Sequence, residues 1–501
     1  MPTYETLCQY LTESAILASS AALLGWDELT YMPPQAADGR ARQMSLIARM
    51  CHERLIAPHV GEELHALAAQ PLPPGQAANV RQWKRNHARA VNVPPALVEE
   101  MTSTAVHARQ AWSQARAANH YALFQPHLAK TIDLQRQYAA CILGHASAST
   151  DELYDALLDA YEPYETTAHL RTLFSQLRPR LSALIAQVAG SNRNAPVEIL
   201  HRHYPIDKQR ELSVHAARLI GFDTGAGRLD TTVHPFCSGI GPGDTRITTR
   251  FDEGDFGNCF FSVLHETGHA LYEQGLPAGH WGTPLGEAVS LGVHESQSRL
   301  WENLVGRSES FWRFFYPQAQ SAFPQALGQT HPEDFLFAIN AIGPSLIRTE
   351  SDEATYNLHI LLRFELELEL LSGELPVADL PQVWNQRVKQ YLNIEVPIDR
   401  EGCLQDVHWS QGGFGYFPTY TLGNLNAAAL FAKASEDLVD LDGQIARGDF
   451  APLLAWLRDK VHRHGQYYPA GELIRQATGH ELSIEPLLKH LQANVSRYYD
   501  R

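Results

Sequence analysis

The chain has 501 residues, which is long enough for a large buried core and, by length alone, for two to four domains. Apolar residues make up 44% and charged residues 19%, as is ordinary for a soluble globular protein. With 40 Lys and Arg against 56 Asp and Glu the net charge is −16, which argues against binding to nucleic acid or to an anionic membrane.

The cysteines and the N-terminal stretch together predict where in the cell the protein is located. The 6 cysteines are scattered and form no CxxC pair, so we expect reduced thiols rather than a disulfide framework. The N-terminal stretch contains acids and lacks the basic and apolar regions of a signal peptide. No apolar run reaches the roughly 18 residues that a membrane span needs. The sequence therefore predicts a cytoplasmic protein that does not enter a membrane.

Most of the chain predicts helix. Apolar side chains recur at helical spacing over residues 5–28, and the prolines within 32–35 end that helix. The stretch 70–76 predicts a loop, and the region 80–220 predicts long helices with few strand signals. Residues 245–251 are the clearest strand candidate, because they are rich in β-branched residues and have glycines on both sides.

Two later segments also predict helices. The segment 364–371 alternates with period two, but it lies in a Leu- and Glu-rich run without Gly or Pro. We interpret it as a helix with Glu365 and Glu369 on one face. Residues 451–465 have a proline near the first turn and end at a glycine, as helices tend to do. Without repeats or linkers, the chain predicts one continuous, mainly helical body with a small sheet.

A histidine pair carries the strongest chemical signal. His265 and His269 are separated by one helical turn, with Glu266 directly after the first. Two imidazoles on one helix face can bind one zinc ion at about 2.0–2.1 Å each. Glu266 is rotated off that face, which is the position of a general base. Asn258 or Asp255 is placed to cap this helix. A chance HExxH on an amphipathic helix is the alternative, and a third ligand would argue against it.

The third ligand is expected from the segment that follows. The metzincin pattern is absent, because the positions where it needs Gly and His hold Tyr272 and Gly275. The remaining candidates are Glu287, Glu295 and Glu302. Glu295 and Glu302 lie two turns apart on nearly one face, so one can bind the metal while the other supports a ligand. Two histidines and one glutamate leave a fourth position for water, which is typical of catalytic zinc.

Several further segments carry a family pattern, in one order and almost from end to end. The stretches are LLGWDELTYMPPQAADGRARQ (23–43), HPF (234–236), DTRITTR (244–250), HETGH (265–269), HESQSRLWEN (294–303), IRTESDE (347–353) and GCLQDVHWSQGGFGYFPTYTLG (402–423). Together they resemble the M32 metallocarboxypeptidases, the carboxypeptidase Taq family. The resemblance implies a single domain over 1–501, mainly α, with a helical fold like that of neurolysin and angiotensin-converting enzyme. Two helical lobes would surround a deep central groove, with a small β-sheet.

The resemblance also implies an activity. It implies removal of single residues from the free C-termini of peptides, with broad side-chain tolerance, by a protein that is commonly a homodimer. His265, His269 and Glu295 look like the metal ligands, and Glu266 looks like the general base. Zn²⁺ is the expected ion, one per subunit, and the same ligands can hold Co²⁺ or Mn²⁺.

Substrate contacts are implied at further positions. The candidates are His234, Arg348, His408 and Tyr420, with Arg246 and Tyr416 as alternatives. Arg348 looks like the partner of the terminal carboxylate, a role that suits the planar fork of arginine. His408 and Tyr420 look like groups that meet the tetrahedral intermediate, and His234 looks like a contact to the substrate backbone. The strand over 245–251 is a further candidate, because it can hold an extended peptide by main-chain pairing.

Two other functions remain open from the sequence. One is an endo-acting oligopeptidase on the same scaffold, which would not need a free carboxylate in its substrate. The other is a helical interaction protein whose metal site is inactive or structural. The presence of Glu266 argues against the second, because such a site does not need the base.

Overall fold

The computed structural model of the protein describes residues 3–145 and 147–500. As predicted, the chain is mainly helical with one small sheet. Within the described residues the helices are α1 (Tyr4–Thr30), α2 (Ala37–Leu55), α3 (Pro58–Ala68), α4 (Pro74–Asn92), α5 (Pro95–Ala118), α6 (Gln125–Leu143), α7 (Thr150–Leu158), α8 (Thr167–Ala189), α9 (Ile206–Leu219), α10 (Phe256–Glu273), α11 (Leu291–Arg299), α12 (Glu309–Ala322), α13 (Pro324–Leu327), α14 (Pro332–Ile339), α15 (Glu353–Ser372), α16 (Leu380–Leu392), α17 (Pro418–Asp437), α18 (Leu441–Ala446), α19 (Ala451–Lys460), α20 (Ala470–Thr478) and α21 (Glu485–Tyr498). The strands are β1 (Gly227–Thr231), β2 (Cys237–Gly241) and β3 (Asp244–Thr249).

The chain forms two compact units, each built from three stretches. Unit 1 comprises Met1–Ala90, Ala195–Asn340 and Asn426–Leu482, and unit 2 comprises Val91–Asn194, Ala341–Leu425 and Ser483–Arg501. Unit 1 contains the sheet, α10 and α11, whereas unit 2 contains α15 and α16. The expectation of one domain with a central groove stays a prediction.

Helix α1 begins the chain in unit 1 and matches the helix predicted over 5–28. Its Leu7 and Leu11 are buried in an apolar cluster with Val60 and Leu64 of α3. The helix also reaches the length and mean hydropathy, 1.2, of a membrane-crossing helix, and 11% of that window is buried. The expectation that no run is long enough is therefore wrong by this measure, because small residues with few charges keep the average apolar. A single helix of this kind is weak grounds for membrane insertion, since core helices and signal sequences share the composition.

The three-stranded sheet packs against helix α10. Its strand order is β1-β3-β2, with β1 parallel and β2 antiparallel to β3. The strand predicted over 245–251 is β3, the central strand. Its Ile247 is fully buried and packs with Cys259 and Val263 of α10. The sheet therefore supports the helix that carries the histidine pair.

Helix α10 begins where the sequence predicts. Asp255 is the capping residue, and its Oδ1 atom accepts a hydrogen bond from the backbone N–H of Asn258 at 2.9 Å. The first turns of α10 are anchored in an aromatic cluster, where the rings of Phe256 and Phe260 stack with centroids 5.2 Å apart. Both side chains are almost fully buried. Cap and aromatic anchor together hold the start of the histidine-bearing helix.

The two later helix predictions have different outcomes. The segment 364–371 lies within α15, and its Glu365 and Glu369 both pair with Arg387 of α16, so they share a face as expected. The helix predicted over 451–465 ends earlier, at Lys460, and a 3₁₀ turn follows. All six cysteines are free, as predicted.

Candidate active site

Helices α10 and α11 approach closely where the candidate ligands lie. A Cβ atom added to Gly268 would lie 2.4 Å from the backbone oxygen of Gln297, so only glycine fits at this crossing. Gly268 stands between His265 and His269 in the chain. The close crossing brings Glu295 of α11 beside both histidines.

The three candidate ligands form one cluster in unit 1. The Oε2 atom of Glu295 lies 3.6 Å from Nε2 of His265 and 3.4 Å from Nε2 of His269. All three ligand atoms lie within 4.8 Å of one another. A tetrahedral ion with bonds of about 2.0–2.1 Å holds its ligand atoms about 3.4 Å apart. The spacing and the donor set of two imidazoles and a carboxylate therefore fit a divalent metal such as zinc.

Both histidines are oriented through their Nδ1 atoms. Nδ1 of His265 lies 2.8 Å from Oε2 of Glu302. Nδ1 of His269 lies 3.1 Å from the backbone oxygen of His294 and 2.6 Å from its Nδ1 atom. Nε2 of His294 lies 2.8 Å from Oε1 of Glu273. These contacts direct both Nε2 atoms toward Glu295, as outer partners do in metal sites.

The two glutamates that follow the histidine motif have different positions. Glu295 lies in the ligand cluster, where Nε of Arg299 donates to its Oε1 atom at 2.7 Å. Glu302 lies outside the cluster on a π-helical turn, Leu300–Val305, and its Oε2 atom is 3.3 Å from Nη1 of Arg299. Single π-turns often occur at functional sites, because they change the direction of a side chain. Glu287 is not part of the ligand cluster.

The pKa values of Glu295 and Glu302 are lowered, whereas the pKa of Glu266 is raised. Burial would raise the pKa of Glu302, but Arg299 and His265 outweigh it and lower that pKa to about 2. Arg299 likewise holds the pKa of Glu295 well below its usual range against the effect of burial. Within the described part of the chain Glu266 has no such partner at hydrogen-bond distance, and burial raises its pKa to about 7. A group with this pKa can both accept and release a proton near neutral pH.

The pKa values of His265 and His269 also differ from each other. Burial lowers the pKa of a histidine, yet Glu295 and Glu302 outweigh it and raise the pKa of His265 to about 8. Burial and the adjacent His294 lower the pKa of His269 to about 4. A metal ligand must be unprotonated, so metal binding competes with a proton at His265 more than at His269.

Arg348 lies in a buried ion network in unit 2. Its Nε and Nη2 atoms donate to Oδ1 of Asp406 at 3.1 and 2.8 Å. Its Nη1 atom donates to the hydroxyl of Tyr356 at 2.7 Å. Arg363 donates to the other oxygen of Asp406, Oδ2, from its Nε atom at 2.7 Å. One carboxylate thus orients two arginines.

The remaining predicted residues of unit 2 form an aromatic group around this network. The ring of His408 lies 5.3 Å from that of Tyr416, which lies 5.5 Å from that of Tyr420. The guanidinium carbon of Arg348 lies 5.1 Å from the centre of the Tyr420 ring. Burial lowers the pKa of His408 to about 4, so the imidazole is neutral at pH 7. Among the described residues, its buried Nδ1 atom has no hydrogen-bond partner.

The residues that organise unit 2 were not among those predicted from the sequence. Asp406, inside the matching stretch 402–423, is the partner of both arginines. Glu367 is fully buried and accepts hydrogen bonds from the Trp409 indole at 2.8 Å and the Gly415 N–H at 3.1 Å. It therefore ties α15 to the loop that carries His408. The signal was present, because a helix with Glu365 and Glu369 on one face turns the glutamate between them to the opposite face.

Two predicted residues of unit 1 lie apart from the ligand cluster. His234 is exposed on the loop between β1 and β2. Arg246 makes two hydrogen bonds to Asp244, at 2.7 and 2.8 Å, and its guanidinium lies 4.3 Å from the Trp26 ring. The prediction that strand 245–251 pairs with a peptide is wrong, because β3 is hydrogen-bonded on both sides.

A His-Glu-x-x-His helix with a glutamate from the next helix is the arrangement of zinc-dependent peptidases. Comparison with known proteins shows which family of peptidases the chain matches. The family model described as Carboxypeptidase Taq (M32) metallopeptidase matches residues 6–495. The chain is 45% identical to thermostable carboxypeptidase 1 of Thermus thermophilus, covering 99% of both chains. It is 37% identical to carboxypeptidase 1 of Bacillus subtilis, covering 96% of both.

Comparison with solved structures leads to the same family as the sequence comparison. The M32 carboxypeptidase from Deinococcus radiodurans superposes with a TM-score of 0.95 at 39% identity, covering 99% of both chains. Metallocarboxypeptidase 1 of Trypanosoma cruzi superposes with a TM-score of 0.93 at 35% identity, again covering 99% of both chains. The protein therefore belongs to the M32 family of metallocarboxypeptidases. Membership implies a divalent metal and peptide substrates, and it confirms the family and the helical fold expected from the sequence.

Proposed function

We propose that the protein removes single amino acids from the free C-termini of peptides, with broad tolerance for the residue removed, and that Glu266 is the general base. The observation that carries the proposal is the cluster of His265, His269 and Glu295, with Glu266 on the same helix. The family match over nearly the whole chain supports the same reaction.

His265, His269 and Glu295 would hold the metal, one ion per subunit. Zinc is the ion we propose, and Co²⁺ and Mn²⁺ are the alternatives for the same ligands. When bound, the ion supplies a Lewis acid that polarises the scissile carbonyl and lowers the pKa of a water molecule from about 15.7 toward 7. Glu266 takes a proton from the water and later delivers it to the leaving amine.

Arg348 would bind the terminal carboxylate of the substrate. A guanidinium has five N–H groups. Three of those on Arg348 donate to Asp406 and Tyr356. As far as the described residues go, two N–H groups remain for the two oxygens of a carboxylate. Asp406 orients the side chain, and Arg246 is the alternative partner for the carboxylate.

His408 and Tyr420 would stabilise the tetrahedral intermediate. A neutral imidazole can donate one hydrogen bond, and the low pKa of His408, about 4, keeps it neutral at pH 7. A donor to the oxyanion contributes about 2.7–4 kcal/mol in comparable sites. Tyr416 is the alternative to Tyr420, and His234 would contact the substrate backbone.

The family resemblance supports a homodimer as the working assembly, and the free cysteines fit a reducing cytoplasm. Light scattering of the purified protein tests the assembly, since a dimer has twice the mass of one chain.

The reaction is tested with two peptides of one sequence, one with a free C-terminus and one amidated. The metal-reconstituted protein is incubated with each, and mass spectrometry follows the products over time. A chelator-treated sample is the control. We expect a ladder of single-residue losses from the free peptide only, and only with metal. A set of peptides with different C-terminal residues then measures the breadth of specificity.

Two results would contradict the proposal. Internal cuts in both peptides would make the protein an endopeptidase on the same scaffold. No cleavage of any peptide, with metal content verified, would leave the cluster as a binding or structural site.

A further inference from the structure

A cavity of about 300 Å³ lies in unit 1 beside strand β2, and no step of the proposed reaction uses it. Part of its wall is one face of α1, formed by Ala15, Ala18, Ser19 and Ala22. Residues at this spacing face the same way on a helix. Because these side chains are short, the helix borders the cavity without filling it.

Glycines of β2 keep another part of the wall open. A Cβ atom added to Gly239 would lie 2.3 Å from Oε2 of Glu273, and one added to Gly241 would lie 3.3 Å from the ring of Trp281. The carboxylate and the indole therefore lie directly against the strand backbone. Gly239 is exposed, so this part of β2 is accessible to a ligand.

The cavity carries negative charge without a matching cation. Glu273 and Glu287 both line it, and the lining contains no Lys or Arg. Glu273 uses Oε1 for its contact with His294, which leaves Oε2 toward Gly239. Glu287 is exposed to solvent. The surrounding protein, together with the nearby Glu273 carboxylate, raises the pKa of Glu287 to about 7. A cation between the two acids would relieve their repulsion.

The cavity begins next to the ligand cluster. Glu273 lies four residues beyond His269 on α10, a rise of about 6 Å. Cys237, the first residue of β2, packs against the apolar cluster that includes Val263 and Ala270 of the same helix. An extended peptide advances about 3.3 Å per residue, so this rise corresponds to about two residues, and we place the wall of the cavity at Glu273 two or three residues from a bond held at the ligand cluster.

The proposed function decides which end of the peptide reaches the cavity, and the inference rests on it. An enzyme that removes single C-terminal residues has only one residue on the C-terminal side of the scissile bond. A position two or three residues from that bond must therefore lie on the N-terminal side.

We propose that the cavity is a subsite for a basic side chain, lysine or arginine, on the second or third residue before the scissile bond. The carboxylates of Glu273 and Glu287 supply charge-assisted hydrogen bonds to the ammonium or guanidinium group. The indole of Trp281 offers a flat face for the same cation. A neutral side chain gains none of the charge interaction, and an acidic one is repelled.

The test uses the metal-reconstituted full chain and peptides with one common C-terminal residue. The peptides differ only in a Lys, Gln or Glu placed at the second, third or fifth position before the scissile bond. We expect kcat/KM to be about tenfold higher for Lys than for Gln at the second or third position, and lower for Glu. The fifth position should show no preference. The Lys preference should weaken as ionic strength rises, because salt screens partly exposed charges.

Two variants assign the preference to the cavity. Glu287→Lys should reverse it, so that the Glu peptide is cleaved faster than the Lys peptide at the same position. A merely structural role of Glu287 does not predict reversal. The matched control is Glu62→Lys, which makes the same change of charge at an exposed position of α3 and should keep the wild-type ratio. Metal content and thermal unfolding are measured for each protein.

Each other outcome counts against the subsite. Equal kcat/KM for the Lys, Gln and Glu peptides, with normal single-residue losses, would overturn the subsite and leave the proposed function standing. A Lys preference that persists in Glu287→Lys would place its origin elsewhere and also overturn the proposal. If no peptide is cleaved although metal is bound, the proposed function itself fails, and the subsite fails with it.

Discussion

The ligand cluster of unit 1 and the arginine network of unit 2 compensate charge in different ways. In unit 1, His265, His269 and Glu295 turn electron-pair donors toward one another at 3.4 and 3.6 Å. In unit 2, both oxygens of Asp406 already face arginines, and that carboxylate is the shared partner of Arg348 and Arg363. The first arrangement offers three ligand atoms to a cation, whereas the second is largely neutralised by its own residues.

This difference indicates how each region can serve a reaction. A cluster of donors binds a cation strongly and sets the reacting atoms in place. Arg348 already donates three hydrogen bonds to Asp406 and Tyr356. Fewer of its N–H groups are left for a substrate carboxylate, so it should bind that carboxylate less strongly than an unpaired arginine would. Asp406 raises the pKa of Arg348 against the effect of burial, which keeps the guanidinium charged. We therefore expect changes in unit 1 to abolish turnover and changes in unit 2 to weaken substrate recognition.

The sharpest test of unit 1 is Glu266→Gln. Glutamine keeps the size of the side chain but cannot accept a proton from water, so kcat should fall by at least about two orders of magnitude. Metal content should stay unchanged, because Glu266 is not one of the candidate ligands. Steady-state kinetics with metal analysis by mass spectrometry measures both. Near wild-type turnover with full metal content would remove Glu266 from the role of base.

In unit 2 the corresponding test is Arg348→Lys, which keeps the charge but loses the planar fork. We expect kcat/KM for free-ended peptides to fall about 10- to 100-fold, since a charged hydrogen bond contributes about 1.5–3 kcal/mol. The low rate on the matching amidated peptides should not change further. Thermal unfolding of the variant checks that the network with Asp406 is intact. Equal losses on both kinds of peptide would move carboxylate recognition to another residue, with Arg246 the next candidate.

The two regions also differ in how far they could be predicted from the sequence. His265 and His269 face one way because of helical periodicity alone, and Asp255 caps their helix by a contact three residues along the chain. Glu295 and Glu302 were both candidates, and choosing between them required the crossing of α10 and α11 at Gly268. Local rules thus define most of the ligand cluster, and one tertiary contact completes it.

Unit 2 depends on contacts that no local rule predicts. Arg348 and Asp406 are 58 residues apart in the chain, and Arg363 and Asp406 are 43 apart. The strand over 245–251 was recognised from its β-branched residues, but its central place in the sheet depends on two partner strands. Propensity identifies an element, whereas its neighbours are set by the packing of the whole chain. The error in strand pairing and the omission of Asp406 have this common cause.

The smallest expected effect concerns Glu367, the buried acid of unit 2. Burial raises its pKa to about 7, although Tyr154, Trp409 and Gly415 donate hydrogen bonds to it. In the unfolded chain a glutamate has a pKa of about 4.3. Between these values the folded protein keeps a proton that the unfolded chain has lost, so stability falls as pH rises through this window. From pH 5 to 6.5 the group should lower the free energy of unfolding by on the order of 2 kcal/mol.

Glu367→Gln separates this contribution from the histidines that titrate in the same range. Glutamine is neutral at every pH, as the protonated acid is, so the variant should lose this part of the pH dependence while the rest remains. Urea unfolding at pH 5 and 6.5 for both proteins gives the difference directly. The wild type should lose more stability than the variant over this interval. If both proteins lose the same amount, Glu367 is ionised in the folded state throughout. In that case its three donors outweigh burial, and the acids of unit 2 follow the same rule as Glu295 and Glu302 in unit 1.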